Sequence, residues 1–113
     1  QLFDFIPWDE QLIQKTLVDQ YDWESAPDTK STWRIGDGTA PFYNYAYLKA
    51  RGFTEHDTFR SNQIREGQID RKSAFKLVAA ENIPRPEAFK WYCDTINVDA
   101  VTAINAINQI SMF

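Results

Sequence analysis

The chain has 113 residues, of which 43% are hydrophobic and 25% are charged, and its net charge is −4 at pH 7. This composition excludes a disordered chain, and the length predicts a single helical domain over residues 1–113. No apolar run approaches the ~18 residues that a membrane helix needs, so we expect no membrane anchor. The negative charge argues against a nucleic-acid partner. One cysteine and one histidine exclude an internal disulfide and a Cys/His zinc site.

The charges are unevenly distributed along the chain. Residues 1–28 hold seven acidic residues and one lysine, a net charge of −6, whereas residues 30–90 hold eleven basic and seven acidic residues, a net charge of +4. A basic middle segment in an acidic chain favours a local anion-binding site over a track for a polyanion. Because the first residue is Gln, we expect a domain from the middle or end of a longer protein, and the unpaired cysteine favours a cytoplasmic setting.

Helical periodicity and capping residues predict an all-α fold, a compact bundle of about five to six short helices. The first helix is predicted over residues 8–21 and is followed by a long loop over 22–39. The second is predicted over residues 40–51 and ends at Gly52, because glycine tolerates the left-handed conformation that closes a helix. No segment alternates as a strand does, although a short strand over 2–6 stays open.

Four further helices are predicted from their first and last residues. Thr54 begins the third, with Asp57 completing a capping box, and Gly67 ends it. Asp70 caps the fourth helix, Pro84 and Pro86 start the fifth, and the sixth begins at Asp99. Apolar residues at helical spacing are expected to face the core in these three helices, namely Ala74, Phe75, Leu77 and Val78, then Phe89, Tyr92, Cys93 and Ile96, then Val101, Ile104, Ile107 and Ile110. On this stripe, Cys93 is expected to be a buried, inert thiol.

The loop before the second helix has the composition of an anion-binding loop. It combines two cations, several hydroxyl groups and two glycines, and its candidate residues for phosphate or substrate are Lys30, Ser31, Thr32, Arg34 and Asp37. The alternative is a solvated loop in which Asp37 or Thr39 caps the next helix. The two glycines form a lone GxG without a preceding strand, so a dinucleotide site is not supported.

A second group of candidates lies in the third helix. Helical spacing places His56, Arg60 and Ile64 on one stripe and Asp57 and Ser61 on the next. The candidate site residues of this helix are His56, Arg60, Ser61, Asn62 and Arg65, because arginines at this spacing can bind a carboxylate or phosphate. Alternatively, His56 is a structural surface residue and the arginines are solvated. No residue is assigned as catalytic or as a metal ligand.

Parts of the sequence resemble a known family. These are STWRIGDGTA at 31–40 with FYNY at 42–45, and GFTEHDTFRSNQIREG at 52–67, followed by a fourth-helix segment that runs to Val78. They resemble the C-terminal region of N-acetyl sugar amidotransferase-like proteins. That family belongs to the PP-loop ATP pyrophosphatase superfamily and is associated with surface polysaccharide biosynthesis.

The resemblance implies an activity for the intact protein. ATP with Mg would activate a sugar N-acetyl group by adenylation, and ammonia from a glutaminase partner would attack it. Lys30 and Arg34 would then hold phosphate with Ser31 and Thr32, and Arg60, Ser61, Asn62 and Arg65 would contact the sugar or position the loop. The chain lacks the family's Ser-Gly-Gly-x-Asp-Ser motif, so we expect an upstream PP-loop domain, and neither cofactor nor activity in the fragment alone. The alternative function is a small helical protein–protein interaction module without a catalytic role.

Overall fold

The computed structural model describes residues 2–24 and 39–112. The chain divides into two units, Gln1–Gly36 and Asp37–Phe113. The described residues form six α-helices and no strand, which confirms the predicted all-α class. Among them, no helix is both long enough and apolar enough to cross a membrane. The expectation of one domain over residues 1–113 stays a prediction.

The first unit contains one short and one longer helix. The segment left open as a strand instead begins with a 3₁₀ helix, Leu2–Asp4, and α1 follows at Glu10–Tyr21. Asp9 caps α1, because its carboxylate accepts a hydrogen bond of 3.0 Å from the Leu12 backbone N–H. The helix ends at Asp22, which adopts a left-handed conformation. No residue of α1 is buried.

The second unit contains the other five helices. They are α2 at Thr39–Arg51, α3 at Glu55–Arg65, α4 at Arg71–Glu81, α5 at Pro86–Thr95 and α6 at Ala100–Asn108. Their ends follow the sequence signals. Gly52 takes a φ of 74°, and the carboxylates of Asp70 and Asp99 accept hydrogen bonds from backbone N–H groups of the first turns of α4 and α6.

Three helices of this unit form an apolar core. α2 packs on both α5 and α6, and α5 packs on α6. We call α2, α5 and α6 the three-helix core. Its central cluster of buried side chains is Phe89, Cys93, Ala103 and Ile107. Ala40 and Pro41 of α2 are buried as well. The Phe42 ring stacks on Phe89 with centroids 5.1 Å apart, and the Tyr45 ring meets Phe89 edge-on at 5.8 Å. The predicted burial of Cys93 is confirmed, and burial raises the pKa of its thiol.

The remaining two helices pack on each other and form a helical hairpin with a different interior. In this α3–α4 hairpin the buried apolar side chains are Phe59 and Ala74. The other buried residues are polar or charged, namely Thr54, His56, Arg60 and Gln63. The buried polar groups of the hairpin therefore need hydrogen-bond partners, whereas the three-helix core is held by apolar packing.

Several predicted core positions are wrong, because each helix buries a narrower stripe than its apolar residues suggest. Phe75 is 67% exposed and Leu77 is 38% exposed, since α4 meets α3 through the small Ala74 and through its last residue. Val101 is 65% exposed on α6, whose buried residues are Ala103 and Ile107. The other predicted core residues that are exposed are Ile96 and Ile110.

Candidate functional site

Lys30, Ser31, Thr32, Arg34 and Asp37 lie outside the described residues, so the predicted anion-binding loop stays a prediction. The candidates of the third helix are described, and they lie on opposite sides of α3. His56 and Arg60 are buried against α4, whereas Ser61, Asn62 and Arg65 are exposed.

The start of α3 is tied to the end of α4 by side-chain hydrogen bonds. The Thr54 backbone N–H donates to the Asp57 carboxylate at 2.9 Å, and the Thr54 hydroxyl oxygen accepts from the His56 backbone N–H, so the predicted capping box is confirmed. The Thr54 hydroxyl also donates to Asn82 Oδ1 at 2.5 Å, and Asn82 Nδ2 donates to Asp57 at 2.8 Å. One amide side chain therefore joins both members of the capping box to α4.

A buried ion pair lies one turn further along α3. Arg60 Nε donates to Glu81 Oε2 at 3.1 Å, and Arg60 Nη2 bonds the second oxygen of the same carboxylate. The Arg60 and Glu81 side chains are only 5% and 7% exposed. Arg60 Nη1 also donates to Gln63 at 2.8 Å. The Glu81 carboxylate therefore compensates the guanidinium charge inside the hairpin, and Gln63 accepts a further hydrogen bond from the other edge of the guanidinium.

The imidazole of His56 completes this arrangement. Its side chain is 4% exposed, and Nδ1 lies 4.0 Å from Glu81 Oε2. This nitrogen is buried and has no hydrogen-bond partner among the described residues. Burial lowers the pKa of His56, and the nearby cations Arg85 and Arg60 lower it further against the opposing carboxylates of Glu81 and Asp57. His56 is therefore held as the neutral imidazole at pH 7.

We call these residues the hairpin network, which consists of Thr54, His56, Asp57, Arg60, Gln63, Glu81 and Asn82. Glu81 and Asn82 were not among the predicted site residues, and they lie 21 to 28 residues along the chain from their partners Arg60, Asp57 and Thr54. One local signal was present for Glu81. A carboxylate in the last turn of a helix opposes the helix dipole, so a cation from elsewhere is expected to compensate it.

The outer face of α3 carries the other three candidates. Arg65 Nη2 donates to the amide oxygen of Asn62, three residues earlier. Ser61, Asn62 and Arg65 are all exposed, so hydroxyl, amide and guanidinium groups are available on one side of the helix. The hairpin network on the opposite side fixes the position from which these groups are presented.

A cleft lies beside the hairpin network, between α2 and the connection from α4 to α5. Its polar lining includes Asn44, Thr54, Glu81, Asn82 and Arg85. The amide oxygen of Asn44 is buried and unpartnered among the described residues. No group of three or more His, Cys, Asp or Glu side chains in the described ranges is placed to hold a metal ion.

Comparisons with protein-family models, with curated proteins and with solved structures found no match to this chain.

Proposed function

We propose that the chain is the C-terminal helical domain of a cytoplasmic PP-loop amidotransferase-like enzyme of surface polysaccharide biosynthesis. In the intact protein, an upstream PP-loop domain would bind ATP with Mg and activate the N-acetyl group of a sugar. Adenylation of the acetamido oxygen would release pyrophosphate, and ammonia from a glutaminase partner would then displace AMP and leave an acetamidino group. The resemblance at residues 31–45 and 52–78 supports this assignment.

The sequence resemblance carries the proposal, and within it the hairpin network indicates what α3 contributes. A buried Arg–Glu pair contributes little net stability, since the desolvation of both charges offsets most of their attraction. Apolar side chains of similar volume would stabilise a small hairpin as well or better. Instead, α3 is held in one orientation by the Arg60–Glu81 ion pair and by the two hydrogen bonds of Asn82, with the neutral imidazole of His56 buried beside them. The α3 members of the network, from Thr54 to Gln63, fall within the segment that resembles the amidotransferases, whereas Glu81 and Asn82 lie beyond it. The arrangement favours a positioning role for α3.

The exposed side of α3 is the surface that we assign to the sugar substrate. Ser61 and Asn62 can exchange hydrogen bonds with hydroxyl and acetamido groups, and Arg65 adds a charged donor. Arg60 is not assigned to substrate, because both edges of its guanidinium are occupied by Glu81 and Gln63.

In this proposal the nucleotide is assigned outside the described residues. The buried cation of the hairpin, Arg60, is already compensated by Glu81, and no acidic cluster suited to Mg is formed among the described side chains. ATP is assigned to the upstream domain and to the loop of Lys30 and Arg34, as the resemblance implies, and the hairpin network takes no part in the reaction steps.

The test is an activity assay on the full-length protein with ATP, Mg, ammonium and N-acetylated sugars. We expect release of pyrophosphate from the intact protein and none from residues 1–113 alone. Replacing Lys30 or Arg34 by alanine should lower turnover roughly ten- to a hundredfold, since each charge-assisted contact contributes on the order of 1.5 to 3 kcal/mol.

A matched pair of variants tests the assignment on α3. Arg65→Ala should lower turnover roughly tenfold, whereas Lys90→Ala, which removes an exposed cation from α5, should leave it unchanged. Equal activity of the two variants would contradict the assignment of sugar binding to the outer face of α3. An upstream sequence without a Ser-Gly-Gly-x-Asp-Ser motif would contradict the whole proposal.

The second candidate function is a helical interaction module without a catalytic role. The observation that favours it is the exposure of large apolar side chains, for example Phe75 at 67% and Trp91 at 58%. Retention of full activity by a full-length protein that lacks residues 39–112 would favour this candidate over the first.

A further inference from the structure

The solvent face of α4 carries an unusual combination of side chains. Arg71, Lys72 and Lys76 are exposed, and Phe75, which lies among them, is 67% exposed. Helical spacing places Arg71 and Lys72 one turn before Phe75 on adjoining rows of the same side. Among the described residues, none of these three cations makes a hydrogen bond or an ion pair through its side chain. We call these four residues the α4 basic face.

The cations of this face stand where local electrostatics disfavours them. Arg71 and Lys72 occupy the first turn of α4, where the positive end of the helix dipole repels a cation and the nearby carboxylate of Asp70 is engaged in capping the helix. Lys72 and Lys76 are four residues apart, a spacing at which like charges destabilise a helix. The one acidic residue within α4, Glu81, is buried against Arg60 and compensates none of them.

Exposed cations around an exposed aromatic ring are features of a surface that binds a partner. We propose that the α4 basic face is a docking site for an acidic segment of a partner protein, with carboxylates at the three cations and one apolar side chain on Phe75. Charge complementarity selects this partner, because binding would place anions beside the cations at the start of the helix and cover the aromatic ring. The proposal does not depend on the proposed activity.

A protein segment fits the face better than an anionic membrane does. The face extends over less than two turns and offers one large apolar side chain, whereas helices that lie in a membrane surface present a long apolar stripe. The exposed carboxylate of Asp70 caps the same helix. A flat anionic membrane surface in contact with the three cations would also approach this carboxylate, and the two negative charges would repel each other. A narrow peptide can contact the cations and avoid Asp70.

Fluorescence anisotropy with a labelled synthetic peptide tests the proposal. The probe is a short helical peptide that carries glutamates on one face and leucines beside them, and it is titrated with the chain of residues 1–113. We expect saturable binding that weakens as salt is added, since exposed ion pairs are screened. The same peptide with leucine replaced by serine should bind more weakly, because the contact with Phe75 is lost.

Two charge-reversed variants show whether binding is localised. Lys72→Glu with Lys76→Glu should weaken binding by about tenfold or more, because two attractive contacts become repulsive. The matched control is Lys49→Glu with Lys90→Glu, which changes the net charge equally at exposed lysines of α2 and α5 and should change binding by less than about twofold. Circular dichroism checks that all variants remain helical.

Three outcomes would overturn the proposal. Equal losses in the two double variants would show attraction to the whole chain rather than to α4. Binding to phosphatidylserine vesicles but not to the peptide would make the face a lipid contact. Failure of both probes to bind would leave α4 with a solvated charged surface and no partner.

Discussion

The two parts of the second unit use opposite means to hold helices together. In the three-helix core, Phe89 and Cys93 pack among apolar side chains and the Phe42 ring stacks on Phe89. In the α3–α4 hairpin, the contact is made by Arg60, Glu81 and the other polar members of the hairpin network. Apolar packing is non-directional, whereas a bidentate ion pair is directional. The polar contacts therefore define the relative orientation of α3 and α4, whereas the apolar packing mainly stabilises α2, α5 and α6.

The largest effect should come from the three-helix core. Phe89→Ala should lower the free energy of unfolding by about 3 to 5 kcal/mol, because it removes a ring that is 4% exposed and leaves a cavity between α2 and α5. Phe75→Ala is the matched control, since its ring is 67% exposed. Urea denaturation of both variants measures the difference. A similar loss for Phe75 would mean that the face of α4 is covered by the protein itself.

Breaking the ion pair should have the next largest effect. Glu81→Gln should cost about 3 kcal/mol or more, because it leaves the buried Arg60 charge without its counter-ion. The double variant Arg60→Met with Glu81→Met should recover most of this loss, since no charge stays buried. A double-mutant cycle in urea provides the measurement, and a double variant that is no better than Glu81→Gln would contradict the expectation. The exposed Lys90–Asp94 pair serves as a control that should change stability little.

Removing the amide that joins the two helices should have a smaller effect. Asn82→Ala takes away hydrogen bonds to Thr54 and to Asp57, so we expect a loss of about 1 to 2 kcal/mol. Ile83→Ala is a suitable comparison in the neighbouring position, because that side chain is 63% exposed. Hydrogen exchange of the backbone amides of α3 should report the loss locally, while those of α5 should stay protected.

Acid should weaken the hairpin through His56. Its pKa is lowered in the folded chain from an ordinary value of 6.5, so the unfolded chain binds a proton more readily. Between the folded pKa and about 6.5, the free energy of unfolding therefore rises with pH. It falls as the pH drops below about 6.5. His56→Gln, which cannot titrate, should show a flatter urea midpoint between about pH 7 and pH 5 than the native chain does. Identical slopes for the two proteins would show that His56 is not the titrating group.

The caps of α4 and α6 provide an internal check on that pH range. Backbone N–H groups of Ser73 and Thr102 hold the pKa values of Asp70 and Asp99 below their ordinary value of 3.8. Their contributions are present above that value and are lost only as the pH falls further. The native chain and His56→Gln should therefore share an acid transition at lower pH and differ only in the range of the histidine.

Sequence reasoning was accurate for features that depend on neighbouring residues. The capping box of Thr54, the caps at Asp70 and Asp99 and the left-handed Gly52 are local arrangements, so three or four residues determine each of them. Reasoning from periodicity alone was wrong for Phe75 and Val101, because a period shows that a face is apolar but does not show how many neighbours will cover it.

The candidate site divides in the same way. Helical spacing correctly placed His56 and Arg60 on one stripe of α3. It could not show that Glu81 and Asn82, at the end of another helix, are their partners, because that pairing depends on how α3 and α4 pack.

The sequence by itself therefore determined the helical class of this protein and the ends of its helices, since capping and helix termination involve only a few adjacent groups. Tertiary packing alone decided which apolar residues are buried and which charges meet. The physical reason is distance along the chain. The contacts of Arg60 with Glu81 and of Phe42 with Phe89 join residues on different helices, and only the folded arrangement brings them together.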